Sequence, residues 1–172
     1  MRPLLITFCA MLVAVPANAG DGFHFASIDG GQIHLSDWRG KPVMVVNTAS
    51  LCAFTGQYDA LQALHETYGP LGVLILAVPS DDFNQELADE AAVKEYCSIN
   101  YDLTLPMTEI TPVTGESAHP FYAWVAKETG FAPQWNFNKV LIGPEGAVVA
   151  TWGSAVVPDG GDITGRIEAL LQ

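Results

Sequence analysis

The stretch that decides the fold is Pro42-Val43-Met44-Val45-Val46-Asn47-Thr48-Ala49-Ser50-Leu51-Cys52. Its apolar run over 43–47 predicts a strand buried in the middle of a sheet, because both faces of such a strand carry apolar side chains. A helical pattern follows over 55–68, and a second apolar strand is predicted over 73–78. Two apolar strands joined by a helix predict a right-handed parallel crossover.

The remaining segments predict that helices cover this sheet. In chain order, the other predicted elements are a hairpin over 23–28 and 32–35, a helix over 87–96, an extended segment over 104–110, a helix over 117–129, a hairpin over 139–142 and 147–152, and a helix over 163–171. We therefore predict an α/β fold that resembles the thioredoxin-like three-layer sandwich. It has a central mixed sheet, helices on both faces and an extra N-terminal β-hairpin.

Residues 1–19 have the pattern of a secretory signal peptide. Arg2 precedes an apolar stretch from Leu4 to Val15, and Ala17-Asn18-Ala19 places small residues where a signal peptidase cleaves. The alternative is a short anchor or a core helix, but the apolar stretch is too short to span a bilayer. We expect a mature domain over 20–172 that is secreted or periplasmic and has no membrane anchor.

The chain is strongly acidic. Nineteen Asp and Glu residues outnumber seven Lys and Arg residues, for a net charge of −12, and loss of Arg2 with the signal peptide would make it −13. Such a charge repels nucleic acid and anionic membrane surfaces, so we expect neither as a partner. It also disfavours anionic small molecules unless basic residues surround their binding site.

Cys52 is the first candidate for chemistry. It lies where the first buried strand ends and the predicted helix begins, and the positive end of a helix dipole favours a thiolate over a thiol. A thiolate is a nucleophile, whereas most lone cysteines are inert buried residues. Taken alone, Cys52 leaves both interpretations open.

Three segments, taken together, resemble the glutathione peroxidase family. In the family's order, they are Asn47-Thr48-Ala49-Ser50-Leu51-Cys52-Ala53-Phe54-Thr55, Pro79-Ser80-Asp81-Asp82-Phe83-Asn84-Gln85-Glu86 and Trp135-Asn136-Phe137-Asn138-Lys139. The resemblance covers nearly the whole mature chain and implies a catalytic tetrad of Cys52, Gln85, Trp135 and Asn136. Ala53 departs from the family pattern, which has glycine after the nucleophile.

The chemistry that the resemblance implies is cleavage of a peroxide by a thiolate. Sulfur attacks one oxygen while the other leaves as hydroxide or alkoxide, and neutral amide and indole N–H groups stabilise the developing charge. The nucleophile becomes a sulfenic acid, which a thiol must reduce. Each donor also has a simpler interpretation: Trp135 as a core aromatic, Gln85 as a polar loop residue and Asn136 as a turn former.

Two further residues keep two interpretations each. Thioredoxin-dependent relatives have a resolving cysteine on the second helix, so Cys97 is either that thiol, which would form a disulfide with Cys52, or a buried apolar thiol. Lys139 either lends positive charge to the site or is a solvated lysine at the end of a strand.

The resemblance implies a reducing thiol as co-substrate and no cofactor. Glutathione-preferring relatives surround the site with basic residues, of which the mature chain has six. We therefore expect a thioredoxin-like protein, rather than glutathione, as the reductant.

No metal site is predicted, because the four histidines show no ligand spacing. The family's subunit-contact insertion is missing between residues 110 and 119, which predicts a monomer.

The leading hypothesis is an antioxidant thiol peroxidase that reduces hydrogen peroxide and organic hydroperoxides under oxidative stress. The alternative is a redox relay or sensor that passes oxidation from peroxide to the thiols of a partner protein. A disulfide reductase is disfavoured because the chain has no Cys-x-x-Cys. A peroxiredoxin is disfavoured because the pattern Pro-x-x-x-Thr-x-x-Cys is missing.

Overall fold

The computed structural model of the chain describes residues 19–172. Residues 1–18, which make up most of the predicted signal peptide, lie outside the described residues, so this segment and the boundary of the mature domain stay predictions.

The strands are β1 His24–Ala26, β2 Gln32–His34, β3 Val43–Thr48, β4 Leu74–Pro79, β5 Lys139–Ile142 and β6 Val148–Trp152. The helices are α1 Gln57–Tyr68, α2 Glu90–Tyr101, α3 Pro120–Thr129 and α4 Gly161–Leu170. Short 3-10 turns cover Ala19–Gly22, Leu35–Trp38 and Gly69–Leu71.

The central sheet is mixed, as predicted, with the strand order β4-β3-β5-β6. Strand β3 pairs in parallel with β4, with Val45 opposite Leu76, and antiparallel with β5, with Val45 opposite Val140. All six residues of β3 and all six of β4 are buried, which explains why both strands read as continuous apolar runs. Strands β1 and β2 form a separate two-stranded hairpin.

Alternating side chains of the inner strands divide the core into two layers. Met44 and Val46 of β3 pack in the cluster that receives α1, α2 and α4. Val43 and Val45 pack in the opposite cluster, with α3 and with the hairpin residue Phe25. The three-layer thioredoxin-like arrangement is therefore confirmed.

The predicted boundaries were wrong at several helix ends, where local capping decides. Helix α2 begins at Glu90 rather than Leu87, because the Asp89 side chain caps it by accepting from Ala92 N–H at 2.9 Å. It runs on to Tyr101, where Asp102, with φ of 48°, ends it. Similarly, α3 begins at Pro120 rather than Ser117, because His119 caps it and proline occupies its first turn.

The extended segment predicted over 104–110 does not form a regular strand. It makes two isolated bridges, from Met107 to Ala77 of β4 and from Thr108 to Ser27. Within residues 19–172, no helix combines the length and the apolar character that crossing a bilayer requires.

Candidate active site

Cys52 lies in a turn between β3 and α1. Its side chain is 5% exposed, and its Sγ accepts a hydrogen bond from Phe54 N–H at 3.5 Å. The prediction that α1 begins at Thr55 was wrong: the helix begins at Gln57, five residues after the thiol. Helix-dipole effects fade beyond the first turn, and the hydrogen bond that Cys52 Sγ accepts comes from the backbone of the turn itself. Ala53 has no positive φ, so its methyl group causes no strain.

Gln85 and Asn136 meet beside this turn. Asn136 is fully buried, and its Nδ2 donates to Gln85 Oε1 at 3.1 Å. The backbone carbonyl of Gln85 in turn accepts from Leu51 N–H at 2.8 Å, which ties the loop after β4 to the residue before Cys52. The two segments that carry these amides are therefore bound directly to each other and to the Cys52 turn.

Trp135 lies at the surface of the same site. Its side chain is 40% exposed, and its ring centroid lies 5.4 Å from that of Phe83, at an interplanar angle of 44°. An indole in the core would be enclosed, so the interpretation of Trp135 as a core aromatic was wrong. The partly exposed ring leaves this side of the site accessible to substrate.

The order of the strands explains why three distant segments meet. Parallel strands β3 and β4 end at the same edge of the sheet, so the Cys52 turn and the Gln85 loop both leave from that edge. Strand β5 runs antiparallel to β3, so the segment that leads into β5, with Trp135 and Asn136, arrives there as well. Ligand and catalytic sites of open α/β sheets commonly lie at this edge.

Two asparagines that the sequence analysis did not single out hold the Trp135 segment in place. Asn47 Nδ2 donates to Trp135 O at 3.0 Å, and Asn47 Oδ1 accepts from Asn138 N–H at 3.1 Å. Asn138 Nδ2 also donates to Trp135 O, at 2.8 Å. Phe137 between them has φ of 61° and packs its buried ring against Tyr58. A buried polar residue at the end of an apolar strand requires partners, and that was the signal available for Asn47.

The interpretation of Lys139 as a solvated lysine at the end of a strand was wrong. Its side chain is fully buried, and its Nζ donates to Gln57 Oε1 and to Val156 O, both at 2.5 Å. Burial lowers the pKa of Lys139 to about 8. The described partners of the ammonium are uncharged oxygens, so Lys139 joins β5, the start of α1 and the turn after β6 without an ion pair.

Replacement of Lys139 by Met is expected to change the pH dependence of stability. The folded-state pKa of about 8 lies below the ordinary 10.5, so between these values the unfolded chain binds a proton that the folded chain lacks. As the pH increases from about 8 to 10.5, the free energy of unfolding of the wild type should therefore rise by about 3 kcal/mol relative to that of Lys139→Met. Denaturant unfolding of both proteins across this pH range measures the difference in their free energies of unfolding. A difference that does not change with pH would contradict a lowered pKa of Lys139.

Cys97 lies on α2 and is 1% exposed. Burial raises the pKa of its thiol to about 11; the Tyr58 hydroxyl beside it opposes this shift and the Glu86 carboxylate adds to it. Both Cys52 and Cys97 are free thiols, and both belong to the core cluster under α1 and α2. At neutral pH the Cys97 thiol is therefore protonated, and it borders a cavity of about 230 Å³ beside α2.

A groove of about 450 Å³ opens beside the Cys52 turn. Its apolar lining includes Phe54 of the turn and Val157 of the segment after β6, while Asp59 and Asp159 supply the acidic part. Leu51 and Val157 are both more than half exposed nearby. The surface around the candidate nucleophile is therefore apolar with carboxylates beside it.

The structure thus places a thiol in a turn at the carboxyl edge of a thioredoxin-like sheet, and the segments that carry the Gln85 and Asn136 amides and the Trp135 indole reach the same edge. The protein-family model that matches the chain is described as glutathione peroxidase and covers residues 22–126. The chain belongs to the glutathione peroxidase family. It is a thiol peroxidase, an oxidoreductase that acts on peroxides, and the family prediction is confirmed.

Curated relatives match over nearly their whole length. The chain is 37% identical over 171 residues to the "Hydroperoxy fatty acid reductase gpx1" of Synechocystis sp., an alignment that covers 93% of this chain and 100% of the relative. It is also 37% identical to the "Glutathione peroxidase" of Lactococcus lactis, over 87% of this chain and 97% of the relative.

Solved structures agree on the fold. A crystal structure described as "Trgpx in apo form" superposes with a TM-score of 0.70 at 29% identity, over 88% of this chain and 95% of that one. A structure of M. tuberculosis dsbF, at 19% identity, has a TM-score of 0.61 over 91% of this chain and 99% of that one. The second likeness supports the thioredoxin-like fold alone.

Proposed function

We propose that Cys52 is the peroxidatic nucleophile and that Gln85, Trp135 and Asn136 are the donors around it. The observation that carries this proposal is the hydrogen bond from Asn136 Nδ2 to Gln85 Oε1, within a loop that is bound to the residue before Cys52. Because Gln85 accepts through its oxygen, its Nε2 is the atom left to donate toward the reacting peroxide.

In the proposed reaction, the Cys52 thiolate attacks one oxygen of the hydroperoxide. A sulfur–oxygen bond forms, the oxygen–oxygen bond breaks, and the second oxygen leaves as hydroxide or alkoxide and takes up a proton. Side-chain amide and indole N–H groups stabilise the charge that moves from sulfur to the leaving oxygen. Cys52 is left as a sulfenic acid, two electrons more oxidised, and a thiol reductant returns it to the thiol.

The proposed substrates are hydrogen peroxide and organic hydroperoxides. The Synechocystis relative is named for hydroperoxy fatty acids, and the groove beside Cys52 supplies apolar surface from Phe54 and Val157 that suits a hydrocarbon chain. The partly exposed Trp135 and Leu51 extend this apolar surface around the nucleophile. These contacts support a substrate range that includes bulky hydroperoxides.

For the reductant, we propose a thioredoxin-like protein in preference to glutathione. Glutathione is anionic, and the described groove beside Cys52 carries Asp59 and Asp159 and no basic residue. The whole chain has a net charge of −12, which adds to the repulsion. A protein dithiol can instead use the exposed apolar residues Leu51 and Val157 as contacts.

The expected result is faster turnover of hydrogen peroxide with a thioredoxin than with glutathione at equal thiol concentration. Peroxide consumption under matched conditions measures it. The double variant Asp59→Asn, Asp159→Asn serves as the matched control, because loss of two negative charges should lower the KM for glutathione and leave the reaction of Cys52 with peroxide unchanged. A clear preference of the wild type for glutathione would overturn this proposal.

Cys97 is the candidate resolving thiol of the proposed cycle, since it is the second cysteine among residues 19–172. Because Cys97 is 1% exposed on α2, we propose that this helix opens locally before Cys97 attacks the Cys52 sulfenic acid. The competing route is direct attack of the external thiol on Cys52.

We further propose that residues 1–19 direct export, so that a monomeric domain over 20–172 acts outside the cytoplasm. The mass of the exported protein tests the cleavage site.

A further inference from the structure

Glu86 is a buried carboxylate beside the candidate active site. It follows Gln85 in the loop after β4, and 8% of the residue is exposed. Its Oε1 accepts two backbone hydrogen bonds, from Ser50 N–H at 2.9 Å and from Leu87 N–H at 2.8 Å. Burial of a carboxylate is costly unless hydrogen bonds compensate, so these two bonds offset part of the cost of burying Glu86.

A second hydrogen bond between the two loops lies beside the bond from Ser50 N–H to Glu86. The next amide of the Cys52 turn, Leu51 N–H, donates to the carbonyl of Gln85 at 2.8 Å. Two consecutive amides before Cys52 are thus held by two consecutive residues of the Gln85 loop. One bond uses the Gln85 backbone and the other uses the Glu86 side chain, so together they fix both the separation and the orientation of the two loops.

The second carboxylate oxygen of Glu86 differs from the first. Oε2 is buried and has no hydrogen-bond partner among the described residues. The titratable groups around the carboxylate are Asp81 of the same loop, Tyr58 of α1 and Cys97 of α2. None of them is a cation, and burial raises the pKa of Glu86. The hydrogen-bond acceptor at Oε1, rather than an ion pair, is therefore what Glu86 contributes to the turn.

We propose that Glu86 is a positioning residue of the peroxidase reaction: its Oε1 holds the Ser50 amide and thereby places Cys52 Sγ in register with the Gln85 and Asn136 amides. The inference rests on the proposed function, in which these amides assist the attack on peroxide. Reacting groups that are displaced by about 1 Å can lose about 100-fold in rate, so an acceptor that sets this register has a large effect.

The test compares two reactions of Cys52 in the full chain. One is its oxidation by hydrogen peroxide, which needs the donors in register; the other is its alkylation by iodoacetamide, which needs a reactive and accessible thiolate alone. Mass spectrometry of the Cys52 peptide separates both reactions from those of Cys9 and Cys97. The variants are Glu86→Met, which keeps the side-chain volume without an acceptor, Glu86→Asp, which draws the acceptor back, and Glu86→Gln, which keeps the acceptor without the charge.

We expect Glu86→Met and Glu86→Asp to lower the second-order rate constant with hydrogen peroxide by at least about 10-fold, while alkylation stays within about 3-fold of the wild type. Glu86→Gln should restore the peroxide rate. The matched control is Glu168→Ala, which removes a carboxylate that accepts from Tyr68 OH at 2.9 Å, at the far end of α1; both of its rates should equal those of the wild type.

Three results would overturn the inference. An unchanged peroxide rate in Glu86→Asp would show that the register does not depend on this acceptor. A loss in Glu86→Gln as large as in Glu86→Met would assign the effect to charge. A parallel fall of both reactions would indicate general loss of structure. Failure of the proposed function would be seen separately, in the wild type. There, hydrogen peroxide would oxidise Cys52 no faster than it oxidises free cysteine.

Discussion

Cys52→Ser is expected to lower peroxide reduction by at least about 1,000-fold. A serine hydroxyl is not ionised at neutral pH, and its oxygen cannot take up the peroxide oxygen as sulfur does. The substitution changes one atom in a side chain that is 5% exposed, so the fold should persist. Steady-state consumption of hydrogen peroxide with a thioredoxin system measures the loss, and circular dichroism checks the fold.

The matched control for this variant is Cys97→Ser, which makes the same thiol-to-hydroxyl change at the other described cysteine. In a single turnover without reductant, Cys97→Ser should react with peroxide at the wild-type rate, because Cys97 acts only after Cys52 is oxidised. Retention by Cys52→Ser of more than about 1% of wild-type activity, at equal protein purity, would mean that another group attacks the peroxide.

Asn136→Leu is expected to lower kcat/KM for hydrogen peroxide by about 100- to 1,000-fold, the usual loss when one preorganised donor is removed. The substitution deletes the Nδ2 donor that orients Gln85 at 3.1 Å. Stability should change little, because Asn136 Oδ1 is buried without a described partner and leucine has the same number and branching of side-chain heavy atoms. A large loss of rate with a small change in stability is the signature of this role.

The control for Asn136→Leu is Asn100→Leu, which makes the same change at an exposed asparagine whose Nδ2 donates to Tyr96 O on α2. Peroxide kinetics and denaturant unfolding of both variants separate the two effects. If Asn136→Leu lost stability and activity in proportion, or if Asn100→Leu lost as much activity, Asn136 would be a structural residue and not a donor to the reaction.

The two central parallel strands, β3 and β4, could be predicted because each is a continuous apolar run that is visible in the local sequence. The apolar runs of β3 and β4 have no polar face, so only a position inside a sheet suits them. The three segments around Cys52, Gln85 and Trp135 could also be matched to a family from their residues alone. What these patterns could not show was the length of the turn after β3, which places Cys52 five residues before α1 rather than near its first turn.

Buried polar partners were beyond prediction for a different reason. Lys139 meets Gln57 and Val156, and Glu86 meets Ser50, through contacts between segments that are far apart in the chain. Periodicity reports which face of an element is apolar, but it does not report which distant amide or carbonyl receives a particular side chain. The sequence therefore left Lys139 with two interpretations, positive charge at the site or a solvated lysine, and it did not indicate the partners of Glu86.

The most direct test of the account is mass spectrometry of the purified protein after one equivalent of hydrogen peroxide. We expect Cys52 to be oxidised in every product: its peptide gains one oxygen, or it is joined to the Cys97 peptide by a disulfide with the loss of two hydrogens. Oxidation of Cys97 alone, with Cys52 recovered as a free thiol, would contradict the assignment of Cys52 as the nucleophile.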